Sequence, residues 1–200
     1  METLTIETYT FDELSNAAKD RAIELFSDIN TDYEWYDLVF EDAKAIGEIM
    51  GIDIDKIYFS GFSSQGDGAC FVGKWRYNKN MRKAIREYAP IDTTLHSIAG
   101  NLFDIQRRNF YNIVATVNQS GRYYHEHCTS IDVENPERQY GEVDNRTIED
   151  TKTELRRFMK WIYKTLEKEY DYLSSREAII EAIEANEYTF TIDGERKLYL

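Results

Sequence analysis

Proline, cysteine and histidine are scarce: the 200-residue chain has 2, 2 and 3 of them. So few prolines exclude a proline-rich linker or stalk. A disulfide framework is excluded as well, because Cys70 and Cys128 stand alone and the opening METLTIETYT lacks the basic and apolar parts of a secretory leader. Both thiols are expected to be reduced, and the protein cytoplasmic. Structural zinc takes four Cys or His ligands, and the five such residues here are scattered, so no metal is expected. No apolar run approaches the roughly 20 residues of a membrane span, which excludes a membrane partner of that kind.

Positive charge is also short, with 24 Lys and Arg against 37 Asp and Glu, a formal net charge of -13. The imbalance is uneven along the chain. Residues 1–60 hold 15 acidic and 4 basic side chains (net -11), residues 61–130 hold 5 and 9 (net +4), and residues 131–200 hold 17 and 11 (net -6). Nucleic-acid binding draws on neutralisation of phosphates by Lys and Arg, so this balance argues against direct contact with nucleic acid. A protein partner with a basic surface suits the acidic N-terminal third better.

What is abundant is apolar and aromatic content, 42% and 14%, enough for one sizeable core; a single domain over residues 1–200 is expected. Alternation at residues 3–9 predicts a strand. Thr10 with Glu13 reads as a capping box opening a helix to about residue 27. A second helix is predicted over 33–50, with Gly51 as its stop. Strands at 56–62 and 70–77 flank SSQGDG, the strongest hairpin signal in the chain. Helices follow at 80–88, ended by Pro90, and at 92–108. A second hairpin is predicted from strands 110–118 and 122–134. A polar loop at 135–145, a long helix at 147–172, a short one at 175–185 and a terminal hairpin of 188–192 with 197–199 complete the reading. Paired hairpins between helix pairs imply an α+β fold, an antiparallel sheet built from hairpins and covered by paired helices.

Two polar segments stand out as places for chemistry. Residues 60–71, SGFSSQGDGACF, combine glycines that let a ligand approach the backbone with Ser63, Ser64, Gln65 and Asp67, which bond hydroxyls or amides. The same residues also suit an ordinary turn that satisfies its own backbone. Residues 122–128, RYYHEHC, read as strand would place Tyr123, His125 and His127 on one face and Tyr124, Glu126 and Cys128 on the other. The residue types of a nucleophile and its base are present, but the sequence contexts that accompany them in hydrolases are not, and no phosphate-cradling glycine motif occurs. No catalytic residue and no cofactor is assigned. Residues 74–86 carry six Lys or Arg, the one stretch suited to an anion. On the second predicted helix Tyr33, Trp35, Tyr36 and Phe40 crowd beside Asp37, Glu41 and Glu48, the residue types favoured at protein interfaces next to a charged rim.

The segments IDKIYFSGFSSQGDGACF, IREYAP, RYYHEHC and WIYKTLEKEYDYLSS resemble a family of small proteins from tailed phages and prophages. The resemblance extends from FDELS at residue 11 to ANEYTF at 185–190. Some members carry the label antitoxin of a toxin-antitoxin stability system. The resemblance implies a phage origin, hence the cytoplasm of a host cell, and a non-catalytic role in binding a partner.

Two functions are thus expected. The first is an acidic binding protein that neutralises a macromolecular partner, antitoxin-like or counter-defence, through Tyr33, Trp35, Tyr36, Asp37, Phe40, Glu41 and Glu48. The alternative is a small-molecule or nucleotide-binding protein, or an enzyme, with a pocket between the 60–71 loop and the strand of His125, formed by Ser63, Ser64, Gln65, Asp67, Tyr124, His125 and Glu126. The oligomeric state is left open.

Overall fold

The computed structural model describes residues 7–137 and 143–196. Among them the elements run β1 (Tyr9–Thr10), α1 (Asn16–Leu25), α2 (Asp37–Met50), β2 (Ile52–Phe59), β3 (Ala69–Trp75), α3 (Met81–Tyr88), α4 (Thr93–Arg108), β4 (Val114–Gln119), β5 (Thr129–Glu134), α5 (Asn145–Leu173), α6 (Arg176–Ala185) and β6 (Thr189–Phe190). The fold is α+β, with an antiparallel four-stranded sheet in the order β2-β3-β4-β5 and a two-stranded sheet of β1 and β6. None of the described helices is long and apolar enough to cross a membrane. The chain divides into two compact units, one of Met1–Tyr36 with Lys168–Leu200 and one of Asp37–Glu167.

In the unit of Asp37–Glu167, the two predicted hairpins are present as β2-β3 and β4-β5. β2 starts earlier than the β-rich run suggests, directly after Gly51. That residue takes φ +80, and a side chain there would strike the Arg76 carbonyl at 2.1 Å, so glycine both ends α2 and lets β2 begin at once. A bulge at Asp55 shifts the register from Ile54↔Gly73 to Lys56↔Val72. Ile52, Ile54, Ile57, Phe71 and Trp75 are buried, and the Trp75 indole donates to the Met50 carbonyl at 3.3 Å. α4 buries Leu95, Ile98, Ala99, Leu102 and Ile105, one stripe at helical spacing, and α5 sets Phe158 edge-on against Phe71 at 6.0 Å. The strand predicted from residue 110 begins only at Val114. Phe110 and Tyr111 adopt φ 56 and 65 as the chain leaves α4, and the buried Gln106 side chain bridges the reversal by bonding both backbone groups of Ile113.

In the unit of the chain ends, Phe11, Leu14, Ala18, Ala22 and Ile23 meet Ile179, Ile183 and Phe190 in one buried cluster. The Thr10–Glu13 capping box is present, but it opens a separate 3-10 turn and not α1. Glu13 takes bonds from the Thr10 amide at 2.8 Å and hydroxyl at 2.9 Å around a single 3-10 turn, Leu14 is extended, and Ser15 caps α1 by accepting from Ala18 N–H at 3.3 Å. Residues 33–36 precede α2 rather than forming its first turn; helical structure starts at Asp37. Of the predicted terminal strands, β6 pairs with β1, while residues 3–6 and 197–199 lie outside the described residues.

Candidate functional site

Each of the two polar segments is held by its own backbone bonding. In the first, Ser60 and Gly68 close the loop: Ser60 N–H donates to the Gly68 carbonyl at 3.0 Å and Gly68 N–H to the Ser60 hydroxyl at 3.3 Å. The Asp67 carboxylate accepts from the amides of Ser63 at 3.0 Å and Ser64 at 2.7 Å, which rigidifies the tip. The loop is anchored from α5, where the Tyr163 hydroxyl donates to the Gly61 carbonyl at 3.2 Å and its ring lies 5.5 Å from that of Phe62. Burial, then the charges of Glu167 and Asp67, push the Tyr163 phenol above its ordinary value, so it remains a donor.

The second segment is a loop, not the predicted strand: β5 begins at Thr129. Local bonds replace the ladder. Cys128 N–H donates to the His125 carbonyl at 2.8 Å, the Thr129 hydroxyl to the Glu126 carbonyl at 2.8 Å, and Gln119 to the Gly121 carbonyl at 2.9 Å. Both nitrogens of His125 are engaged. Nδ1 accepts from His127 N–H at 3.2 Å, so the neutral ring carries its proton on Nε2, which faces Cys128 Sγ at 3.3 Å. An imidazole that donates to the sulfur is set opposite to the general base that would activate it. Cys70 is buried, which pushes its thiol up to about 12, so it stays a protonated, unreactive hydrophobe.

These two loops, some sixty residues apart in sequence, meet. A Cβ on Gly68 would stand 2.5 Å from the Cα and Cβ of His125, and one on Gly66, at φ +99, would touch the Tyr123 ring at 3.4 Å. Between them opens a cleft of about 550 Å³ lined by Gln65, Gly66, Asp67, Tyr123, His125 and Glu126. It offers an amide, two carboxylates and an exposed aromatic ring, a set suited to a hydroxylated or amine-bearing body with a flat face. Of the residues expected here, Gln65, Asp67, His125 and Glu126 line the cleft. Ser63 and Ser64 do not; their amides serve Asp67. Tyr124 does not line it; its ring stacks on that of Tyr58 at 5.3 Å, and the Lys56 ammonium lies 4.6 Å from the Tyr58 ring centre. Gly66 and Tyr123 are lining residues that sequence reasoning left out, although the glycines of SSQGDG and the neighbourhood of Tyr123 to His125 were signals for both. Among the described residues no three His, Cys, Asp or Glu side chains gather as metal ligands.

The residues expected to bind a partner divide between the units. In the unit of the chain ends Tyr33 is exposed, and the Trp35 ring lies 5.8 Å from Tyr36 and 5.6 Å from Tyr170. In the other unit Asp37, Glu41 and Glu48 are exposed along one face of α2, where Lys44 interrupts them, and Phe40 packs on Phe59 at 5.9 Å. Charge follows the same division. The unit of the chain ends counts 17 acidic and 6 basic side chains (net -11), and the unit of Asp37–Glu167 counts 20 and 18 (net -2).

No curated protein and no solved structure matches the chain. A family model, that of a domain of unknown function, DUF8835, matches residues 35–176, a span that contains the whole cleft-bearing unit. The chain therefore belongs to the DUF8835 family.

Proposed function

We propose that this is a phage-type cytoplasmic binding protein that takes a small, hydroxylated or amine-bearing molecule in the cleft between the 60–68 and 122–128 loops. The observation that carries the reading is the meeting of Gln65 and Asp67 with Tyr123, His125 and Glu126 around one cleft of about 550 Å³. A cleft of that size falls within the range of small-molecule sites. Tyr123 supplies a stacking surface, and Asp67 and Glu126 supply acceptors. The orientation of His125 toward Cys128 supports binding rather than nucleophilic chemistry. Screening sugars, nucleosides and amino compounds by thermal shift tests it: binders of the wild type are expected to lose about tenfold or more in affinity in Asp67→Ala and in His125→Ala, the scale of one charged or well-placed hydrogen bond. Undiminished affinity in both variants would overturn it.

A second reading, an antitoxin-like or counter-defence protein that neutralises a basic macromolecule, is supported by the net charge of -11 in the unit of the chain ends. The exposed Glu24, Glu181 and Glu184 of that unit are then better recognition residues than the α2 carboxylates. Such a complex should weaken steeply with salt and with charge reversal at those three positions. A complex indifferent to both would count against it.

A further inference from the structure

Beside the ligand cleft, and sharing Glu126 as a wall, lies a smaller one of about 230 Å³ lined by Glu126, His127, Thr153, Arg156, Arg157 and Lys160. The four α5 residues fall at spacings of three, four and seven, so one face of the helix presents a hydroxyl and three cations to it. Their charges are not equally committed. Arg157 is occupied: its Nη1 donates to both carboxylate oxygens of Glu154 at 3.0 and 2.7 Å and its Nη2 to the Ser97 hydroxyl at 3.2 Å. Glu126 faces His127 at 3.8 Å. The side chains of Arg156 and Lys160 form no ion pair or hydrogen bond with any described residue, and the Arg156 Nε is buried without a hydrogen-bond partner. Arg156 as a whole is half-buried, and its planar guanidinium fork matches a tetrahedral oxyanion.

Building on the ligand-cleft reading, we infer that Arg156 and Lys160, with His127 and the Thr153 hydroxyl beside them, form an oxyanion subsite for the phosphate of a phosphorylated small molecule whose polar body occupies the neighbouring cleft over Tyr123. The two clefts are complementary for such a ligand. The larger has Asp67 and Glu126 and repels the anionic end, and the smaller sets Arg156 and Lys160 against the shared Glu126 alone and attracts it. A polymer with a charge at every residue fits this arrangement poorly, because Asp67 and Glu126 would face its backbone.

The test is titration of the full chain with inorganic phosphate at constant ionic strength, followed by ³¹P NMR and calorimetry, and then with 5′-mononucleotides and hexose phosphates against their dephosphorylated counterparts. Saturable phosphate binding is expected, weakened roughly tenfold or more in Lys160→Gln and in Arg156→Gln and unchanged in Lys83→Gln, a charge-matched control on α3. Lys160 is exposed, so its variant keeps the test informative should Arg156→Gln perturb folding. Phosphate binding that is absent, or equal in wild type and Lys160→Gln, overturns the subsite. If phosphorylated compounds still bind in that case, the ligand cleft stands without it. If phosphate binds as expected but no phosphorylated compound binds more tightly than phosphate itself, the subsite stands and the cleft reading falls.

Discussion

The unit built from the chain ends and the unit between them solve different problems. The first carries 17 acidic and 6 basic residues in its sequence and has a small buried cluster in which residues from both ends of the chain meet. The second is nearly balanced, at 20 acidic and 18 basic, and holds the four-stranded sheet, both clefts and the longest buried stripes. The two units therefore suit different kinds of recognition. Crowded like charge gives long-range attraction without shape, whereas balanced charge on a rigid sheet allows individual donors and acceptors to be placed.

The largest effects are expected in the cores. Phe158→Ala, fully buried in the sheet-bearing unit, is expected to cost about 3–5 kcal/mol, read as a lowered urea midpoint. Phe190→Ala removes a ring packed on Phe11 and Phe26, and its cost, about 3 kcal/mol or more, should appear as lost amide protection in α1 and α6. Protection lost equally in both units by either variant would erase the distinction between them. Next in size is Glu154→Ala. The Glu154 side chain is 9% exposed and pairs with Arg157, itself 37% exposed, and with the Asn101 amide at 2.9 Å. Its removal should cost about 2–3 kcal/mol, below the cost for a fully buried pair because Arg157 reaches water.

Smaller effects sharpen the electrostatic side. Raising NaCl should stabilise the acidic unit, by screening its self-repulsion, more than the balanced one. Hydrogen exchange in α1 and α6 against β3 and β4 would check this. Acid should act on both. The Thr10 amide and hydroxyl hold Glu13 below its ordinary value, the Thr191 hydroxyl does so for Asp193, and the Thr147 amide and hydroxyl do so for Asp144. A carboxylate with a depressed folded pKa contributes stability that is present above the unfolded value and is lost as pH falls through the folded one. The loss is therefore expected below the ordinary carboxylate range, and Asp144→Asn should flatten it when urea midpoints are compared across acid pH. The least effect is chemical: alkylation of the native protein near neutral pH should modify Cys128 and spare Cys70, whose thiol burial holds at about 12, as peptide mass mapping would report.

Much of the sheet-bearing unit was legible. The stop at Gly51, the turn in SSQGDG, the end of α3 before Pro90 and the stripes of α4 and α5 are all local signals, and the α+β architecture follows from their order. The failures arose where local pattern and distant bonding disagree. Tyr, His and Glu alternating through residues 122–128 imitate a strand, but the carbonyls of His125 and Glu126 bond within the loop, to the Cys128 amide and the Thr129 hydroxyl. Thr10 and Glu13 imitate a helix start but stabilise only one turn. The pairing of β1 with β6 joins residues some 180 apart, Tyr9 to Phe190, and no short-range rule reports it. For the candidate site, sequence supplied both polar segments and four of the six lining residues. Their convergence rests on Gly68 passing His125 and on Tyr163 holding Gly61, contacts visible only in three dimensions.

If the two loops act as one ligand site, amide NMR during titration with a small-molecule binder will report both at once. Resonances of residues 65–67 and 123–126 should move together with a single dissociation constant in the wild type. In Gly68→Ala, where the new methyl pushes against His125, the same titration should give little shift in either loop. Shifts confined to one loop, or a Gly68→Ala protein that binds as the wild type does, would contradict the account.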